Sequence, residues 1–175
     1  MKIKQFLNKD YMVYNTKKIL KLRTKIQHSH FRIHRFILTI RYRRLLLEMQ
    51  SFLPTSKTVS NHIIYPHGLS GVFISNGATV EDGCVIFQQV TIGSNTLTDS
   101  KNEGFPIVGK NCYIGAGAKI IGNVKIGDNV RIGANTVVTK DIPDNTTVVG
   151  AKVRLIKHET AIDNSFVSFK KKVNR

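Results

Sequence analysis

A six-residue period runs through the centre of this chain and leaves few folds open to it. Ile74, Val80, Ile86 and Ile92 are spaced by six, and after a break so are Val108, Ile114, Ile120, Ile126, Ile132 and Val138. A second register, two positions earlier, holds small or β-branched residues: Val72, Ala78, Cys84 and Val90, then Cys112, Ala118, Val124, Val130 and Thr136. A glycine often follows the aliphatic position, as at Gly93, Gly115, Gly127 and Gly133. Six is neither the helical period nor plain strand alternation. A solenoid accounts for it: each hexamer supplies one short strand and one turn, and three hexamers make a triangular coil. The aliphatic residue points inward, and the Gly or Asn is expected at the corner, where positive φ costs them least. Cys84 and Cys112 fall on the small inward register and read as packed core thiols. Two cysteines imply no disulfide framework.

The period breaks between Ile92 and Val108, a spacing that is not a multiple of six. The polar, turn-rich stretch from Ser94 to Gly104 reads as an excursion loop, bounded as residues 94–107. A long loop on a rigid solenoid tends to carry function.

Charge divides the chain differently. Residues 1–50 carry thirteen Lys/Arg against Asp10 and Glu48, residues 51–150 carry seven of each sign, and residues 151–175 carry seven Lys/Arg against Glu159 and Asp163. The net charge of +16 therefore sits on the two ends of a neutral body. A basic end can meet an anionic membrane, nucleic acid or an acidic ligand, or be a solvated face. No recognised nucleic-acid motif accompanies these ends, and no nucleic-acid partner is expected. Residues 16–50 read as helical: Ile33, Phe36, Ile37, Ile40 and Leu47 recur at helical spacing, and no Pro or Gly interrupts the chain before Ser51. The apolar run Phe36–Leu47 contains Arg41, Arg43 and Arg44 and is too short and too charged to span a bilayer. With no clean secretory signal, cytoplasmic residence is the expectation, with the basic segment resting at the inner face of the membrane as an option. The expected organisation is a basic helical segment 1–52, a β-helix 53–157 and a basic tail 158–175.

Several stretches carry a family resemblance over about Leu53–Lys157. They are Pro66–Ser75 (PHGLSGVFIS), Phe87–Gly93 (FQQVTIG), Ile114–Gly122 (IGAGAKIIG), Ile132–Pro143 (IGANTVVTKDIP) and Val149–Arg154 (VGAKVR). In these the chain resembles the hexapeptide-repeat acyltransferases, in the branch of serine O-acetyltransferases and capsule or exopolysaccharide O-acetyltransferases. The resemblance implies a left-handed parallel β-helix, a homotrimer with active sites between subunits, and acetyl-CoA as co-substrate with no metal.

The chemistry asks for a base, because an alcohol is a poor nucleophile at neutral pH, and histidine suits that role. The repeat region has two histidines, His62 and His67. His67, between Pro66 and Gly68, stands where the family places its catalytic His and is assigned as general base; His62 matches no motif and reads as structural. His28, His30 and His34 have no carboxylate or thiolate beside them to complete a metal site. Gly93, Gly115, Ala116, Gly117, Gly133 and Ala134 would let pantetheine approach the backbone, and Thr139, Lys140 and Arg154 could meet pantetheine or the CoA phosphates. Direct transfer in a ternary complex is expected, since no Ser or Cys has an activating partner for a covalent intermediate. Serine-specific members of the family pair this His with an Asp one coil earlier and often carry a second His before the next coil. Phe52 and Phe105 stand at the corresponding positions here. The leading expectation is therefore a sugar hydroxyl as acceptor, with L-serine the alternative and a non-catalytic scaffold the reading from another class.

Overall fold

The computed structural model describes residues 9–150. Arg154 and the tail 158–175 lie outside them. Two helices come first, α1 (Lys9–His28) and α2 (Arg32–Glu48), and a parallel β-helix follows.

Each strand of the solenoid is two or three residues long, and in nearly every one the second residue is buried while the first faces outward. Three parallel sheets form its three faces. The first stacks Phe73–Ile74, Thr91–Gly93, Lys119–Ile121 and Val137–Val138; the second Thr79–Val80, Ile107–Val108 and Lys125–Ile126; the third Val85–Ile86, Tyr113–Ile114, Arg131–Ile132 and Thr147–Val148. The register is the six-residue period made physical: Ile74 lies over Ile92, Ile92 over Ile120, and Ile120 beside Val138. The resulting isoleucine and valine columns are almost fully buried. Burying each such side chain stabilises the fold by about 1.5–3 kcal/mol. Cys84 and Cys112 are both free and buried in neighbouring coils, as their register predicts. A hydrogen bond from Cys112, reinforced by burial, pushes the Cys84 thiol well above its ordinary value.

A further coil precedes the ones the period marked. Phe52 bridges Phe73, Val59 bridges Val80 and Ile64 bridges Val85. Its inward residues Leu53, Val59 and Tyr65 keep the spacing of six and are buried. From Phe52 to Phe73 the chain takes three residues more than the 18 that separate Phe73 from Thr91. The extra residues lie in the turn around Pro66–Gly71 and push His67 out of the wall.

The corner rule holds only in part. Asn111, Asn129, Asn135 and Asn145 have φ between 54° and 57°, the left-handed conformation asparagine tolerates. The glycines after the aliphatic residues are not in that region, and at Gly115 and Gly127 glycine is needed for a different reason. A Cβ on Gly115 would lie 2.7 Å from the backbone nitrogen of Ala134, and one on Gly127 would lie 2.6 Å from that of Asp144. At these two positions the next coil passes too close for any side chain.

The N-terminal segment is two helices, not one. Ser29, His30 and Phe31 form the break without Pro or Gly, and Ser29 holds it locally: its hydroxyl hydrogen-bonds His34 Nδ1 at 3.1 Å. The break lets α2 fold back on α1 and both cap the first coil. α1 buries Ile19, Arg23 and Ile26 toward that coil. Arg23 is fully buried and its guanidinium donates to the carbonyls of Pro54 (2.7 Å), Ser56 (2.7 Å), Val59 and Ser60, and to Asn61 Oδ1. α2 buries Leu38, Tyr42 and Leu46. The periodic set Ile33, Phe36, Ile37, Ile40 and Leu47 lies on the opposite, exposed face. Among the described residues no helix is long and apolar enough to cross a membrane.

Candidate functional site

His67 is exposed at the corner between the third and first sheets. The turn that presents it is fixed from below. Gly68 has φ +74°, and the Thr16 hydroxyl of α1 accepts the Leu69 N–H at 2.9 Å while donating to Met12 O. A Cβ on Gly68 would sit 3.0 Å from both Met12 O and the Thr16 hydroxyl, so α1 packs directly beneath the histidine turn.

The ring itself has two partners from the next coil. Nδ1 hydrogen-bonds Gln88 Oε1 at 2.8 Å, and the edge of Phe87 meets the ring at 89° with centroids 5.3 Å apart. With an amide oxygen as acceptor, Nδ1 carries the proton and Nε2 keeps its lone pair. That is the tautomer a general base needs. The orienting group is therefore an amide on the following coil, whereas a carboxylate on the preceding coil was the family expectation. Gln88 stood in the quoted stretch Phe87–Gly93, but nothing in its spacing marked it as a partner of a residue 21 positions away. Phe87 in turn packs on Tyr113 with centroids 5.1 Å apart.

The small residues fall into two groups. Gln88 O accepts the Gly117 N–H at 3.0 Å, and Ala116 O accepts the Asn135 N–H at 2.8 Å. These bonds align Gln88, Ala116 and Ala134 in one corner column below His67, with Gly115, Gly117 and Gly133 beside them. Gly93, Thr139 and Lys140 are elsewhere, at the corner between the first and second sheets. The excursion loop lies along that second corner. It closes as a tight hairpin, with Asn95 and Gly104 exchanging backbone hydrogen bonds at 3.0 and 2.9 Å. It does not stand away from the solenoid: Asn102 O accepts the Asn123 N–H, and the Asn102 side-chain amide donates to Thr139 O. Phe105 leaves the loop with its ring against Gly77, where a Cβ would be 2.5 Å from ring carbons. Phe52 and Phe105 are both partly exposed aromatic surfaces.

The other histidines stay outside this arrangement. His62 is exposed beside Asp82, Nδ1 to Oδ1 3.4 Å, at a different corner. The Ser60 hydroxyl, and after it His62, hold the Asp82 carboxyl below its ordinary range. Ser60 donates to Asp82 and does not touch the His62 ring, so the three are not arranged for nucleophilic catalysis. Among the described residues no group of three or more His, Cys, Asp or Glu converges as a metal site would require.

The coil is a left-handed parallel β-helix, and residues 105–140 match the bacterial transferase hexapeptide family (six repeats). Similar proteins include several serine acetyltransferases. The chain is 36% identical over 135 residues to a serine acetyltransferase of Buchnera aphidicola subsp. Schizaphis graminum, covering 73% of this chain and 51% of that protein. It is 46% identical over 94 residues to a serine acetyltransferase of Synechococcus elongatus, covering 54% and 37%. The soybean serine acetyltransferase apoenzyme superposes with a TM-score of 0.58 at 25% identity, over 83% of this chain and 58% of that one. The chain thus spans about half the length of the Buchnera relative. These similarities favour the serine alternative over the saccharide reading that Phe52 and Phe105 suggested.

Proposed function

We propose that the protein transfers the acetyl group of acetyl-CoA to a hydroxyl, with L-serine the first acceptor to test and His67 as the general base. One observation carries the reading: His67 has its Nδ1 held by Gln88 at the head of a corner column of small residues. In the step proposed, His67 Nε2 takes the hydroxyl proton, the oxygen attacks the acetyl carbonyl, and backbone N–H groups stabilise the oxyanion. The thioester C–S bond then breaks, and the thiolate leaves with the proton that His67 returns. Ala116, Ala134 and their neighbouring glycines leave room for pantetheine to lie against the backbone.

Gly93, Thr139 and Lys140 stand across the first sheet from His67. A pocket that used both corners at close range would need a second copy of the chain, which a homotrimer with sites between subunits supplies. Arg154 would serve the CoA phosphates from beyond the described residues.

A saccharide hydroxyl is the second reading. It is favoured by the exposed rings of Phe52 and Phe105, since aromatic faces suit the apolar faces of sugar rings. The test is thiol release from acetyl-CoA with serine and with a panel of sugars, for wild type and His67→Ala. Turnover with serine that falls at least a hundredfold in the variant is expected. Turnover with sugars alone reverses the acceptor, an undiminished variant removes His67 as base, and absence of both turnover and CoA binding leaves a scaffold.

A further inference from the structure

We infer that the outward face of α2 is a docking surface for an anionic lipid bilayer. The helix is apolar on two sides. One side, Leu38, Tyr42 and Leu46, is buried against α1 and the first coil. At about 100° per residue, Ile33, Phe36, Ile37, Ile40 and Leu47 form a second row on the far side. Ile33 is 78% exposed, Phe36 66% and Leu47 77%. The row runs for about 21 Å along the helix. Packing among the described residues does not account for it, because the solenoid cap they form is complete without it.

Charge selects what covers the row. Arg32 and Arg43 flank it on one side, Arg41 on the other, and Arg44 lies within it; all four are exposed. The only acid on the helix is Glu48, and it is already beside Arg44, Nε to Oε1 3.6 Å. A second copy of α2 laid face to face would bring these arginines against one another with only Glu48, already beside Arg44, to meet them. An anionic lipid surface satisfies both features at once. The aliphatic and aromatic side chains sink to the acyl boundary while the long arginine stems let the guanidinium groups stay with the phosphates. α1 adds exposed Lys17, Lys18 and Lys21 to the same basic end, and the rest of the solenoid is neutral.

The test uses the whole protein and vesicles of phosphatidylcholine alone or with a quarter phosphatidylglycerol. Cosedimentation with the anionic vesicles at least tenfold above the neutral ones, weakened in high salt, is expected. An Ile33→Ser, Phe36→Ser, Ile40→Ser triple variant with an unchanged thermal melt should lose at least tenfold in binding. The chain contains no tryptophan, so Phe36→Trp gives a clean reporter whose emission should shift to the blue on anionic vesicles. Three results overturn the inference: no sedimentation with either vesicle, binding that the triple variant retains in full, or a wild-type oligomer that the triple variant dissociates, which would make a second copy the occupant. An unshifted Phe36→Trp emission on bound vesicles overturns it as well.

Discussion

Replacing Arg23 with methionine tests how the helical cap is held to the solenoid. The side chain is fully buried in α1 and faces five acceptors, none of them charged. Burial lowers the arginine from its ordinary value, with Tyr42 and then Tyr65 opposing the shift, but a guanidinium stays protonated throughout the working pH range. Methionine keeps the stem's apolar volume and removes all five bonds. Ser56 O still accepts from Gln27 at 3.2 Å, so it is not orphaned. The carbonyls of Pro54 and Val59, whose bonds to Arg23 are buried, are left without a partner. At about 1–3 kcal/mol for each unsatisfied buried group, and with some return from the better-buried apolar stem, the loss comes to about 3 kcal/mol. For a chain of this size that lowers Tm by about 6–12 °C. Urea denaturation followed by circular dichroism, with Arg23→Lys as the intermediate case, measures it. Lysine restores some of the donors but cannot reach all the carbonyls, so it should fall between wild type and methionine. A methionine variant within about 0.5 kcal/mol of wild type would refute the reasoning, because the carbonyls would then be satisfied some other way.

Gln88→Leu should lower kcat about 3- to 10-fold without changing the KM for acetyl-CoA, the worth of one neutral hydrogen bond of about 0.5–1.5 kcal/mol. Gln88→Glu, which keeps an acceptor for Nδ1–H, should retain more activity than the leucine variant, and steady-state kinetics of the pair distinguishes orientation from packing. Gly115→Ala should cost about 1–3 kcal/mol, since its Cβ would meet backbone 2.7 Å away, while Gly133→Ala, whose nearest contact would be a side-chain oxygen at 3.3 Å, should cost much less in the same urea melts. Burial raises the hydroxyls of Tyr42 and Tyr65 well above the ordinary tyrosine value. An acid raised in the folded state contributes stability that is complete below the unfolded value and is lost as pH rises. Stability should therefore fall above about pH 10, by about 1 kcal/mol per buried tyrosine at pH 10.5; urea midpoints that stay level between pH 8 and 10.5 would contradict this.

Much of the fold was legible because a solenoid is built from local repetition. Each inward isoleucine stacks on one 18 residues away in the regular coils, so a fixed spacing in the chain becomes a fixed neighbour in space. The first coil was legible in principle through Leu53, Val59 and Tyr65. The three-residue excess around Pro66–Gly71 shifted its register relative to the rest and hid it. His67 was singled out by its motif, and the structure puts it on an exposed turn beside Gln88.

What the sequence determined by itself is the hexapeptide solenoid, the position of its loop, its buried cysteines and its basic ends. Periodicity reports which residues share an environment, and hydrophobic burial then enforces it. It does not report which environment. The set Ile33–Leu47 has the pattern of a core face, yet the core took Leu38, Tyr42 and Leu46. The side of a helix that is covered depends on where the chain turns at Ser29–Phe31 and what it meets afterwards. Tertiary structure alone brought Gln88 beside His67 and placed a fully buried arginine among carbonyls of the first coil. Each of these is a contact between residues whose separation in sequence carries no period, decided by the insertions, turns and packing that bend a regular repeat into one particular shape.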